Sequence, residues 1–118
     1  MPRSMIALLI ALALFPAAQA RELKSKASHG ALAYHGASNS SGYAVERGNS
    51  REARIEALRQ CGHPQCEIVA ALRGDCGAVA KGPKKFTTQK GVTRQEAEAK
   101  ALRRCGDACE IAVWACTR

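Results

Sequence analysis

Residues 101–116 read ALRRCGDACEIAVWAC, and residues 57–72 read ALRQCGHPQCEIVAAL. In each stretch a helix-like run ends in a cysteine and is followed by a short turn, a second cysteine, the pair Glu-Ile and an apolar run. The correspondence extends upstream, because GALA at 30–33 matches GAVA at 77–80. Two copies of one supersecondary unit are the simplest account of this self-similarity.

The copies, at about residues 30–73 and 74–118, each predict the order strand, strand, helix, strand. The helices start at capping patterns, Asn49 with Glu52 in the first copy and Thr93 with Glu96 in the second. At helical spacing, small and apolar side chains share one face of each helix: Ala53, Ala57, Leu58 and Cys61, and then Ala97, Ala101, Leu102 and Cys105. A glycine follows each helix directly and favours its termination there.

The runs EIVAAL at 67–72 and EIAVWAC at 110–116 are apolar at both alternating sets of positions, which predicts central strands covered on two faces. The shorter runs GALAY, GYAVE, CGAVAK and KFTTQK predict the other strands. We therefore expect an α+β domain made of a duplicated β-β-α-β unit, with a mostly antiparallel sheet, two short helices and disulfide staples.

Six cysteines lie in this domain: Cys61, Cys66, Cys76, Cys105, Cys109 and Cys116. An even number in a short exported chain indicates disulfides. The repeat predicts equivalent local bridges, Cys61–Cys66 and Cys105–Cys109, and leaves Cys76 and Cys116 for one long-range bridge. A zinc site is the competing interpretation, because the spacings are close to those of metal ligands. The even number of cysteines and the signal-peptide pattern at the start of the chain, described next, favour disulfide bridges. We therefore expect no metal and no cofactor.

The first 20 residues, MPRSMIALLIALALFPAAQA, have a basic start, an apolar centre and a small-x-small ending. This pattern predicts a signal peptide at 1–20, since the apolar run is shorter than the roughly 20 residues that span a bilayer. Residues 21–28 predict a flexible basic arm, and 29–118 a single domain. No cysteine lies near the cleavage point. We expect a soluble protein that is periplasmic or extracellular and is not a lipoprotein.

Over residues 29–118 the ordered cysteines, the two Ala-Leu helix patterns and the final Trp114-Ala115-Cys116 occur together. In this combination the chain resembles the small secreted bacterial proteins grouped as domain of unknown function 4189. The resemblance implies export, disulfides and a duplicated scaffold. It brings no established catalytic residues with it.

Catalytic patterns are weak in this sequence. The six thiols are better used in bridges than as nucleophiles, which need a free thiolate and a nearby base. His29, His35 and His63 are spread along the chain without a repeated acidic partner, and no nucleophile-elbow sequence surrounds the serines at 38–41. We expect no catalytic residues and a protein that is not an enzyme.

The formal charge is +8, or +7 once the arginine of the leader is removed, and it favours acidic partners. The candidate binding residues are Lys84, Lys85, Arg103, Arg104 and Trp114. Trp114 itself is more simply interpreted as a core residue than as a surface anchor. Arg73-Gly74-Asp75, a tripeptide that some adhesion receptors read, is more simply an ordinary turn.

The expected partner is an acidic protein or an anionic envelope component, and the mature chain has no transmembrane segment. Nucleic acid is an unlikely partner, since aromatic stacking platforms are missing. The function predicted first is a protein-interaction module, inhibitor or immunity-like. The alternatives are a secreted factor that acts on a host or on neighbouring cells, and an envelope-binding structural protein.

Overall fold

The computed structural model describes residues 27–118. The predicted signal peptide at 1–20, and all but the last two residues of the predicted arm, lie outside the described residues. The fold already includes Ser28, whose hydroxyl oxygen lies within hydrogen-bonding distance of the carbonyl oxygen of Arg118 (2.9 Å) and of a carboxylate oxygen of Glu46 (2.7 Å). No helix within 27–118 is long and apolar enough to cross a bilayer.

Eight elements follow one another in the predicted order. The first copy contains β1 (His29–His35), β2 (Ser40–Arg47), α1 (Ser50–Cys61) and β3 (Glu67–Arg73). The second copy contains β4 (Cys76–Lys81), β5 (Phe86–Gly91), α2 (Arg94–Cys105) and β6 (Glu110–Cys116).

Each copy forms its own three-stranded antiparallel sheet, with strand order β2-β1-β3 in the first and β5-β4-β6 in the second. The register also repeats. The pairing of β1 with β3 shifts between Leu32 and Ala33, and that of β4 with β6 shifts between Val79 and Ala80, at equivalent positions of the repeat. The predicted α+β class and the duplicated β-β-α-β unit are confirmed.

The prediction that EIVAAL and EIAVWAC form central strands is wrong. They form β3 and β6, which are edge strands, whereas the alanine-rich β1 and β4 occupy the centres. The physical reason is size. Ala31, Ala33, Ala78 and Ala80 are fully buried, and their small side chains let a helix approach one face while the other sheet covers the opposite face.

The molecule has four layers, because a helix covers the outer face of each sheet and the two inner faces pack together. Ala53 and Ala57 of α1 pack on Ala31, Ala33 and Ala44, and α2 packs in the same way on the second sheet. Between the sheets lies a shared core that contains the larger side chains of Leu32, Tyr34, Leu72 and Val79 together with Ala70 and Ala115. This central core joins the two copies.

Leu58 was expected on the buried face of α1, but it is 38% exposed. The alanine stripe lies so close to the sheet that α1 buries only Ala53, Ala57 and Cys61, one residue per turn. Leu58 lies beside this stripe, at its rim. Leu102, its counterpart in the repeat, is partly buried against the core beneath α2.

The helix ends follow the predicted chemistry. The Asn49 side chain accepts from the backbone N–H of Glu52 (2.8 Å), and the Thr93 hydroxyl accepts from that of Glu96 (3.1 Å). At the other end of α1, Gly62 takes the left-handed conformation (φ 72°).

Three disulfides join Cys61 to Cys66, Cys76 to Cys116, and Cys105 to Cys109. This is the pairing that the repeat predicts. The long-range bridge connects β4 to β6 at a pair of residues in register, where the first copy has His29 opposite Arg73. Each bridge therefore lies within a single copy, and no disulfide joins the two copies; within residues 27–118 they are held together by packing, hydrogen bonds and the ion pair between Arg118 and Glu46 (3.7 Å).

Candidate binding surface

Charge is unevenly divided between the copies. Residues 74–118 carry nine basic and five acidic side chains, whereas residues 30–73 carry five basic and four acidic ones. Since the two copies share one fold, the difference lies in their surfaces. The second copy is the more strongly cationic half.

Ion pairing separates the cations of the second copy into two groups. Lys81, Lys90 and Arg94 each lie within 4.0 Å of a carboxylate, as do Arg59 in the first copy and Arg118 at the end of the chain. Among residues 27–118, five basic side chains of the second copy have no such pairing: Lys84, Lys85, Lys100, Arg103 and Arg104. We call these five the cationic face. It contains four of the five binding residues that the sequence predicts.

One half of the cationic face is a concavity of about 390 Å³ between β5 and α2, lined by Gln89, Lys100, Arg103 and Arg104. Its walls are held in place because the Thr87 hydroxyl donates to the carbonyl of Ala101 (3.0 Å) and ties the strand to the helix. The Lys100 ammonium donates to the carbonyl of Lys90 at 3.3 Å. No carboxylate lines this concavity, so it presents only cations and one amide.

The other half is the loop between β4 and β5. The backbone N–H of Gly82 donates to the carbonyl of Lys85 (2.8 Å) and closes the loop, so that Lys84 and Lys85 lie at its exposed tip. The loop borders a concavity of about 280 Å³ that also contacts the Cys105–Cys109 bridge and Asp107. A side chain at position 82 would reach 2.6 Å from the Cys109 sulfur, so this packing requires glycine.

Trp114 lies apart from the cationic face. It is on edge strand β6, is 38% exposed, and has the Arg94 guanidinium 3.9 Å from its ring centre. The interpretation of Trp114 as a core residue is therefore wrong, because an edge position leaves one side of the indole uncovered. Arg94 begins α2 and Arg103 lies about 13 Å further along its axis, so the structure does not bring Trp114 together with the other four predicted binding residues.

The sequence did not predict an apolar groove of about 450 Å³ between the edge strands β2 and β6. Tyr43, Val45, Ala112, Val113 and Trp114 contribute to its walls, and the Tyr43 side chain is 47% exposed. Alternation along β2 predicts that Tyr43 and Val45 share a face. Only the stacking of the two sheets, which a one-dimensional pattern does not contain, places that face beside β6.

Two of the three histidines meet. The His35 and His63 rings stack with centres 4.1 Å apart and an interplanar angle of 15°. His35 Nδ1 lies 2.7 Å from the Ser38 hydroxyl, and His63 Nδ1 accepts from the backbone N–H of Gln65 at 3.0 Å. Within residues 27–118, no three or more metal-ligating side chains gather in one place.

The Arg73-Gly74-Asp75 segment forms the turn between β3 and β4, with Gly74 at φ 71°. One carboxylate oxygen of Asp75 accepts from the Arg73 backbone N–H (2.9 Å), and the other lies 3.6 Å from the Lys90 ammonium. Because both oxygens are engaged inside the protein, the carboxylate stabilises the turn.

Comparison with known proteins finds mycobacterial relatives of this chain, one of them with a solved structure. Rv1813c of Mycobacterium tuberculosis (strain H37Rv) and Mb1843c of Mycobacterium bovis, both uncharacterized, are each 36% identical to this chain over 88 residues. These residues are 75% of this chain and 59% of each relative, so the match covers little more than half of the relatives' length. The NMR structure of Rv1813c has a TM-score of 0.62 to this fold at 34% identity, covering 80% of this chain and 78% of that one. The family model described as a domain of unknown function, DUF4189, matches residues 29–116, and the chain belongs to this family.

Proposed function

We propose that this protein is an exported, non-catalytic binding module that holds an anionic partner at the cationic face. The observation that carries the proposal is that three basic side chains, Lys100, Arg103 and Arg104, line one concavity to which residues 27–118 contribute no carboxylate. Four arginines of the first copy are also unpaired within the described residues, but only two of them, Arg47 and Arg73, line a common concavity. Unpaired cations in concave surroundings attract anions and raise their local concentration. Export is supported by the leader-like residues 1–20 and by three disulfides, which are consistent with an oxidising compartment.

The test is capture from envelope and culture-supernatant fractions by the immobilised, oxidised protein. The face variant replaces Lys84, Lys85, Arg103 and Arg104 by Gln. The control variant replaces Arg47, Arg51, Arg54 and Arg73, four basic residues of the first copy, so both variants lose four charges. We expect the wild type and the control variant to retain the same anionic component and the face variant to lose it. Equal capture by the two variants would refute the cationic face as the binding site.

A second candidate function is neutralisation of an acidic protein, as an inhibitor or immunity-like protein would do. The apolar groove with Tyr43 and Trp114 favours it, because the buried centre of a protein interface is more apolar than the rest of the surface. Protease treatment of the fractions before capture distinguishes the two. Loss of the captured component after proteolysis would support this candidate, and retention would favour a polymer or lipid.

A further inference from the structure

We infer that the ligand of the cationic face is a linear polymer that carries phosphate or sulfate groups along its length. The inference deepens the proposed function and rests on it. It depends on the extent of the cationic face and on two properties of its β5–α2 concavity, which are the hydrogen-bonding chemistry and the lack of apolar side chains among the lining residues.

The cationic face is too long for a single small anion to contact all of its basic side chains. Lys85 precedes β5 and Gln89 lies near its end, so about 13 Å of extended chain separates the loop concavity from the one between β5 and α2. Orthophosphate would occupy one concavity and leave the cations of the other without a partner. A chain with regularly spaced charges contacts both at once, and each further contact is made at the high effective concentration that linkage provides.

The hydrogen-bonding chemistry favours tetrahedral oxyanions. The β5–α2 concavity offers one ammonium, two guanidinium groups and the Gln89 amide, and no carboxylate lines it. Guanidinium groups donate two parallel hydrogen bonds to phosphate, and ammonium groups add point charge. An oxyanion with three or four oxygens accepts from several of these donors at once.

The lack of apolar side chains argues against an acidic protein at this site. Gln89, Lys100, Arg103 and Arg104 line the β5–α2 concavity without an apolar residue among them. A stable protein interface needs a desolvated apolar centre. Among the described residues, the β5–α2 concavity also has no aromatic lining residue on which bases would stack, so recognition of single-stranded nucleic acid through its bases is disfavoured there.

The test measures binding of the oxidised chain to long-chain inorganic polyphosphate, tripolyphosphate, dextran sulfate, poly-L-glutamate and single-stranded DNA, at equal charge concentration and over a salt series. We expect polyphosphate or dextran sulfate to bind most tightly, and polyphosphate to bind at least about tenfold more tightly per phosphate than tripolyphosphate. Preference for polyphosphate assigns phosphate groups, and preference for dextran sulfate assigns sulfate groups.

Variants locate the binding. Replacing Lys100, Arg103 and Arg104 by Gln should weaken polyphosphate binding by roughly tenfold or more and reduce the slope of log K against log salt by about 3. The matched control, with Arg47, Arg51 and Arg54 replaced by Gln, removes the same charge and should change affinity by less than about threefold. Because Lys100 is half-buried, the Arg103 and Arg104 double variant serves as a second version, and thermal unfolding confirms that each variant is folded.

The outcomes separate this inference from the proposed function. If poly-L-glutamate bound as tightly as the phosphate and sulfate polymers, and lost affinity in the face variant, the polymer inference would fall while binding of an anionic partner remained. Tighter binding of DNA than of polyphosphate would also overturn the polymer inference. An equal loss in the control variant, or no binding of any polyanion, would overturn both.

Discussion

At the scale of single residues, Gly42 decides how close α1 comes to the first sheet. A Cβ at this position would lie 2.3 Å from the carbonyl oxygen of Ala57 and 2.4 Å from the nitrogen of Cys61. Because both are helix backbone atoms, the contact cannot be relieved by turning a side chain. We expect Gly42→Ala to lower the free energy of unfolding by about 2–3 kcal/mol. Gly48→Ala is the matched control, since nothing lies within 4 Å there. Denaturant unfolding with the disulfides intact measures both, and equal effects would contradict this account of the packing.

Tyr34 is the residue whose ionisation couples to folding. Its side chain is 2% exposed, its hydroxyl donates to Asn39 Oδ1 (2.9 Å), and burial raises its pKa above the usual 10.0. Above pH 10.0 the unfolded chain loses this proton while the folded chain keeps it, so stability must fall as the pH rises.

Tyr34→Phe removes both the hydrogen bond and the titration. We expect the variant to be about 1 kcal/mol less stable than wild type at pH 8, and the difference to shrink above pH 10. All other ionisable groups are the same in both proteins, so their contribution cancels in the comparison. Tyr43→Phe, at a half-exposed position, controls for the loss of one phenol. A difference that stayed constant from pH 8 to pH 11 would show that the Tyr34 proton is not linked to folding.

At the scale of elements, the two helix caps test whether the copies are energetically equivalent. Asn49 and Thr93 each accept one backbone N–H at the start of their helix. Asn49→Ala and Thr93→Ala should each cost about 1 kcal/mol. The effects should add in the double variant, because α1 and α2 cover opposite outer faces of the molecule. Thermal unfolding measures the set. A loss confined to one helix would mean that only that helix depends on its cap.

The elements also mark the limit of prediction from sequence. Capping patterns and glycines placed both helices, because these signals are local and act within one turn. The prediction placed β3 and β6 at the centres of the sheets, but they are edge strands. A run of large apolar side chains looks strongly buried in the sequence, yet it does not tell how many strands pair with that segment. EIVAAL in β3 looks more buried than GALAY in β1, yet it is β1 that is paired on both sides and covered on both faces.

At the scale of the whole molecule, four of the five predicted binding residues belong to the cationic face: Arg103 and Arg104 line the concavity between β5 and α2, and Lys84 and Lys85 lie on the loop that leads into β5. Trp114 was predicted with them from residue type alone, and it lies at the other end of α2 on a different edge. The apolar groove and the His35–His63 stack escaped prediction for a related reason. Each is formed by residues from separate elements, and their contact depends on how the layers stack.

The prediction that each disulfide lies within one copy can be tested directly on the intact protein. With all six cysteines bonded, the intact oxidised protein should weigh six hydrogens less than its reduced formula. Peptide mapping after partial proteolysis should recover Cys61 with Cys66 and Cys105 with Cys109. A peptide that linked Cys61 to Cys105 would contradict the arrangement, since those residues lie in different copies.

Because no disulfide crosses between the copies, their union depends on the core between the sheets. Leu32 is fully buried there, whereas Leu58 on α1 is 38% exposed. Leu32→Ala should lower the free energy of unfolding by about 2–5 kcal/mol, and the same substitution at Leu58 by less than about 1 kcal/mol. Within residues 27–118, neither sheet has another cover for its inner face, so a single unfolding transition is expected even in the weakened variant. Two separate transitions in the Leu32 variant would show instead that each copy, closed by its own disulfides, is a stable folding unit without its neighbour.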